Sequence, residues 1–383
     1  MPLSISISGD WRLIAIAILS AALTVMVVAI SPRMPRFYGH TAIKSSIQAI
    51  HLRPTPRVGG VAIFGAVGVS ATLLQQDLWG SYSGILIGGV PLFVVGLLED
   101  LGFGVSPTKR LLAAIGSSLI VILLTGLWLP RLGIPGADHL ASYAMIGVPL
   151  TLLVTAGVTN GFNLIDGVNG MAGMTAIGAA FSLSAISATG GNSELWELNL
   201  IFVAAVAGFC LLNFPFGLVF LGDAGAYTLG FMLAWFGIAI LADVPDVSPW
   251  AVLLCVFWPV ADMMLAIFRR RLRKAEVTVP DRLHVHQLVM RSLEICLLGR
   301  SHRKFANPLT TVVLAPFVLT PPAVGVLLWN DNAEAFIAVV FFASVFVISY
   351  TRIPNLVRKL RTRPSGTRAF NVEPSVTRAT PTS

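Results

Sequence analysis

Residues 201–241 read IFVAAVAGFCLLNFPFGLVFLGDAGAYTLGFMLAWFGIAIL, and one charged side chain, Asp223, stands in that whole stretch. On either side of it lies an apolar run close to the roughly 20 residues that a helix needs to cross a bilayer. Two spans joined by a short turn are the reading that follows, and it extends to the rest of the chain.

The 383 residues are 55% hydrophobic and 11% charged, with a mean hydropathy of +0.81, whereas a soluble domain is about one quarter charged. About eleven uncharged apolar stretches of suitable length lie at 11–30, 58–75, 82–98, 111–129, 142–159, 171–188, 198–213, 224–241, 250–268, 308–328 and 335–351. The expected fold is therefore all-α, a polytopic transmembrane helical bundle whose loops on one face form the site. The membrane domain is expected over 1–351, followed by a basic tail, 352–383, rich in Arg, Pro and Thr and without apolar periodicity. Ser31-Pro32-Arg33 after the first run does not resemble a small-residue cleavage site.

Lys and Arg beside span ends stay in the cytoplasm. With the N-terminus outside, 24 of the 26 Lys and Arg residues fall in inner segments, leaving Arg12 and Arg131 outside. The net charge of +8 is then a set of loops beside an anionic lipid leaflet, not a nucleic-acid surface. Cys210, Cys255 and Cys296 imply no disulfide framework.

Glu99, Asp100, Asp166, Asp223, Asp262 and Asp281 each sit at or near a junction between a span and an inner loop. Carboxylates at a membrane boundary are costly when desolvated and point to a cation or a partner. Glu99-Asp100 ends the third span, and Lys109-Arg110 opens the fourth. A carboxylate pair of this kind can hold Mg2+ or act as a base; a bland alternative is a helix cap with surface ion pairs. Asn160, Asn163 and Asp166 recur every third residue before Gly167 and Gly170. They share one helical face, and the glycines permit a tight turn with free backbone amides, which suits a nucleotide or a metal-bound phosphate. Asp223, flanked by Gly222 and Gly225 with no cation nearby in sequence, suits Mg2+, which takes one or two carboxylates with phosphate oxygens and water.

The long inner loop holds Arg269-Arg270-Arg271 and then Asp281-Arg282-Leu283-His284-Val285-His286-Gln287. In extended backbone His284 and His286 point to the same side, and with Arg282 they make a donor-rich anion site. Zinc is the rival reading of His-x-His, but no Cys or further His stands at ligand spacing.

Taken in order, these clusters resemble the polyprenyl-phosphate N-acetylhexosamine-1-phosphate transferases over roughly residues 50 to 295. Pro56-Arg57-Val58-Gly59-Gly60 is similar to that family's first loop signature, and Asn160, Asn163 and Asp166 to its Asn-x-x-Asn-x-x-Asp-Gly motif. The sequence departs from the family pattern at Glu99, Asn169 and Gln287, where Asp, an acid and His are usual. The resemblance is closest to the branch that makes undecaprenyl-diphospho-N-acetylglucosamine or a related lipid to start O-antigen, capsule or similar glycans.

The resemblance implies a bacterial inner-membrane enzyme with its site facing the cytoplasm. Undecaprenyl phosphate, a UDP-N-acetylaminosugar and the lipid bilayer are the implied partners, with no nucleic acid, and a homodimer is left open. Mg2+, with Mn2+ as a substitute, would be held by Asp223 and Asn163. Asp100, assisted by Glu99, would act on the lipid phosphate, and Lys109 and Arg110 would guide it. Arg282, His284 and His286 would hold the diphosphate, while Asn160, Asn163 and Asp166 would meet the donor. The peptidoglycan branch, phospho-N-acetylmuramoyl-pentapeptide transferase, is the alternative within the family. Outside it stand a secondary transporter or lipid-linked flippase, whose charges belong near the bilayer midplane, and a non-catalytic scaffold.

Overall fold

The run that follows Asp223 becomes the axis of the bundle. In the computed structural model, which describes residues 10–42, 55–73, 80, 82–273, 283–299 and 302–361, the principal helices are thirteen. They are α1 Asp10–Ile30, α2 Gly60–Leu73, α3 Ser83–Asp100, α4 Pro107–Thr125, α5 Ala144–Ile165, α6 Met171–Thr189, α7 Ser193–Asn213, α8 Gly222–Asp243, α9 Pro249–Cys255, α10 Phe257–Arg273, α11 Val285–Leu293, α12 Arg303–Leu327 and α13 Asn332–Arg361. No strand occurs among the described residues.

Nine of these helices are long and apolar enough to cross a membrane, so the chain is a multi-pass membrane protein with the expected all-α architecture. The tenth span, expected over 250–268, is instead the pair α9 and α10, bent by 85° at Val256, whose φ of −111° and ψ of 21° are not helical. The remaining expected span, 58–75, appears as the 14-residue α2, and its last two residues lie outside the described set. Helix α13 runs on through Arg361, ten residues past the expected edge of the tail; positions 362–383 are not described.

Helix α8 is enclosed along its whole apolar length, with α3, α5, α2, α6 and α7 packed around it. Lipid tails are as apolar as Leu, so such helices associate through close van der Waals contact rather than hydrophobic expulsion. Small residues supply the approach. A methyl group on Gly96 of α3 would meet the backbone of Ala224 at 2.7 Å, and one on Gly230 would meet Cα of Thr159 at the same distance.

Polar groups inside the bundle find partners, as the absence of water requires. Ser118 and Thr155 hydroxyls pair at 2.8 Å, and Ser117 Oγ accepts the N–H of Leu92, next to the helix-interrupting Pro91, at 3.1 Å. At the end of α8 away from Asp223, Arg131 donates to the carbonyls of Leu241, Val244 and Val247 at 2.5, 2.9 and 2.7 Å. A cation on the last carbonyls both satisfies them and complements the helix dipole. This end is sealed by protein; the opposite end carries the site.

Candidate functional site

The site is built at the N-terminus of α8, where the turn entering the helix is fixed by glycine. Gly222 has φ +76°, a left-handed conformation that disfavours any Cβ, and a Cβ there would also collide with the carbonyl oxygen of Arg57. Backbone bonds stitch this turn to the Pro56–Gly60 loop. Phe220 donates to Pro56 at 2.8 Å, and Gly59 and Gly60 donate to Phe220 and Leu221 at 3.0 and 2.9 Å.

Asp100, the last residue of α3, closes the same corner from the other side. Its Oδ1 and Oδ2 accept the N–H groups of Asp223 and Ala224, two of the donors that every helix start leaves unmatched. Asp223 in turn forms an ion pair through Oδ2 with Nη1 of Arg110, in the first turns of α4. Asp223 and Arg110 side chains are only 11% and 18% exposed, so the pair is far less screened than one on the surface.

The Asn160/Asn163/Asp166 face contributes unequally. Asn163 Nδ2 donates to the buried hydroxyl of Tyr227 at 3.1 Å, and Tyr227 lies within electrostatic reach of Asp223, Arg110, Glu99 and Asp100. Asn160 instead donates to Ala156 of its own helix at 2.8 Å. Asp166 follows the last residue of α5. Burial pushes its carboxyl up to about 7, opposed by the charge of Arg57 and reinforced by that of Asp223.

His284 and His286 meet as expected, although only His284 is extended; His286 lies in the first turn of α11. Their rings are parallel within 11° with centroids 5.8 Å apart. His286 is 1% exposed, and neither ring nitrogen has a hydrogen-bond partner. Its ring lies where a methyl on Gly167 would be, so it packs on the turn that follows Asp166. Burial pulls His286 down to about 4, against the opposing charge of Asp262 and with that of His284. Arg282 lies outside the described residues.

Of the remaining residues, Glu99 and Asn169 have plain local tasks. Glu99 Oε2 accepts the N–H of Val105 at 2.5 Å and so closes the loop between α3 and α4. The extra methylene of Glu, where the resembled family has Asp, supplies that reach. Lys109 is exposed at the start of α4. Asn169 holds the turn before α6: its N–H meets Asn307 Oδ1 at 2.7 Å, its Nδ2 meets the Pro215 carbonyl at 3.1 Å, and Thr311 donates to its carbonyl at 2.6 Å.

Arg57, Tyr227 and Asp262 were not assigned roles from the sequence. Arg57 could have been found, since it is the only cation of the Pro56–Gly60 loop; nothing distinguishes Tyr227 from other span aromatics.

Among the described residues no three or more His, Cys, Asp or Glu are arranged as a metal cage. Asp223 and Asn163, the pair expected to hold Mg2+, carry oxygen donors of the kind that ion takes, with few protein ligands beside phosphate and water.

The fold and this corner define an integral membrane protein with a carboxylate- and cation-lined site at one end of its bundle. Residues 82–241 match glycosyl transferase family 4. It is 28% identical over 347 residues to the probable undecaprenyl-phosphate N-acetylglucosaminyl 1-phosphate transferase of Bacillus subtilis, covering 87% of this chain and 91% of the relative. It is 25% identical over 284 residues to the decaprenyl-phosphate N-acetylglucosaminephosphotransferase of Mycobacterium tuberculosis, covering 67% and 69%. It is also 25% identical over 260 residues to the undecaprenyl-phosphate alpha-N-acetylglucosaminyl 1-phosphate transferase of Escherichia coli K12, covering 65% and 69%.

Proposed function

We propose that this protein transfers an N-acetylaminosugar-1-phosphate, with N-acetylglucosamine as the leading sugar, from its UDP-linked donor to undecaprenyl phosphate. UMP is released, and the lipid product starts an O-antigen, capsule or other envelope polysaccharide. The site faces the cytoplasm of the inner membrane, in line with the placement of Lys and Arg. The observation that carries this reading is the convergence of Asp100, Asp223, Arg110, Arg57 and Asp166 on one helix start. The activities for which the relatives are named support it.

Phosphoryl transfer asks mainly for positioning and charge neutralisation. An oxygen of the lipid phosphate attacks the sugar-proximal phosphorus; the bond from that phosphorus to the bridging oxygen breaks, and the oxygen departs with UMP. Asp100, held rigid by two backbone N–H groups, orients the lipid phosphate and accepts its proton. Asp223, with Asn163 near by, would hold Mg2+, which supplies charge neutralisation at the diphosphate. Arg110 and Lys109 attract the lipid phosphate, Asp166 and Asn160 serve the nucleoside side, and His284 and His286, with Arg282 as a further cation of that loop in sequence, hold the diphosphate. Glu99 serves Asp100 by shaping the loop that carries Arg110.

Purified protein incubated with undecaprenyl phosphate, Mg2+ and each of several UDP-amino sugars tests the proposal. UMP release that requires the lipid is the expected result; no lipid-dependent UMP from any donor refutes it.

A further inference from the structure

Asp262 lies on α10, beyond the 85° bend, and is only 1% exposed. Its Oδ2 is 2.8 Å from Nδ1 of His284, itself 3% exposed. Its Oδ1 accepts the N–H of Val285, the first residue of α11, at 3.4 Å. Among the described residues no Lys or Arg pairs with it. A carboxylate buried this deeply is costly unless its hydrogen bonds are needed.

With Nδ1 committed, Nε2 is the nitrogen that His284 has left for a ligand. As an imidazolium the ring donates Nδ1–H to Asp262 and Nε2–H to a phosphate oxygen, and the carboxylate balances its charge. The bond to Val285 also sets where α11 starts, which places the His286 ring parallel to His284 and against Gly167. One side chain on the bent span thus governs both histidines.

We propose that Asp262 is a positioning residue for the sugar-nucleotide donor, fixing the ring orientation and protonated nitrogens of His284 so that Nε2 meets a donor phosphate. This inference rests on the function proposed above.

The test compares Asp262→Asn, Asp262→Glu, His284→Gln and the Asp262→Asn/His284→Gln pair with the wild type in the UMP-release assay. Asp262→Asn should raise KM for the UDP-sugar about tenfold or more, with kcat less affected and an unchanged thermal midpoint. Asp262→Glu should recover part of the loss. The double variant should be no worse than His284→Gln alone, because both changes remove one unit. A wild-type KM in Asp262→Asn, or losses that multiply in the double variant, would overturn the proposal.

A second readout does not depend on turnover. In 15N spectra of histidine-labelled protein with UDP added, His284 should show both nitrogens protonated in the wild type and not in Asp262→Asn; identical spectra overturn the positioning role. If the wild type turns over no donor, the proposed function fails by itself, and these spectra still decide the part played by Asp262.

Discussion

Asp100 and Asp223, 123 positions apart, are joined by the shortest of the bonds that start α8: the N–H of Asp223 donates to Oδ1 of Asp100 at 2.8 Å, with Ala224 on Oδ2 at 2.9 Å. The residue read as catalytic is therefore also the one that seats the metal-binding candidate. Asp100→Ala leaves two buried N–H groups unmatched, at about 1–3 kcal/mol each, and removes the carboxylate. Asp100→Asn keeps one accepting oxygen. The expectation is a large fall in thermal midpoint for Ala, a smaller one for Asn, and loss of about a hundredfold or more in UMP release for both. Wild-type turnover in Asp100→Asn would remove Asp100 from the chemistry.

Asp223 is paired with Arg110 and faces Asp100 and Asp166 electrostatically. Asp223→Ala should lower turnover and raise the Mg2+ concentration needed for half-maximal rate. A Mg2+ titration of UMP release checks this, and full activity at limiting Mg2+ contradicts the assignment.

Gly167 has no room for a side chain: the His286 ring occupies the place of its Cβ, with ring carbons at 3.0 and 3.3 Å. Gly167→Ala should push His286 aside and raise KM for the donor, while KM for the lipid stays near its wild-type value. Steady-state kinetics with each substrate varied in turn separates the two.

The acid side of the stability curve should carry the mark of His286. Its folded pKa, about 4, lies below the ordinary 6.5 because burial disfavours the charged ring. Fewer protons are bound in the folded state, so this stabilisation is present above pH 6.5 and is lost as pH falls through about 4, amounting to roughly 3 kcal/mol. Asp166 acts with the opposite sign. Raised from 3.8 to about 7, it contributes fully below pH 3.8 and loses that contribution as pH rises through about 7. Thermal midpoints from pH 4 to 8 should therefore fall less steeply toward acid in His286→Gln than in the wild type, and less steeply toward neutral pH in Asp166→Asn.

Much of this was legible along the chain. A bilayer demands length and apolarity from every span, so the run after Asp223 declares its helix without reference to any neighbour, and the acids at span ends declare the functional face. Asp100, Asp166 and Asp223 stand out in this way, His284 and His286 stand out by their spacing in the inner loop, and the structure brings the three acids together at the start of α8 and sets the two rings side by side.

The bend between α9 and α10 was not legible, because hydropathy measures apolar length and not direction. Nor was the division of labour among similar polar residues. Asn163 reaches Tyr227 while Asn160 turns back on its own helix, and Glu99 closes a loop while Asp100 caps a helix.

Those outcomes depend on which backbone groups a side chain meets, and the partners lie far apart in sequence: Asp100 with Ala224, Arg110 with Asp223, His284 with Asp262. Composition and period settle which segments enter the membrane and which residues stay at its edge, since each segment is solvated alone. Pairing, orientation and the burial that shifts Asp166 and His286 arise only when helices exclude water from one another, and that is a property of the assembled bundle.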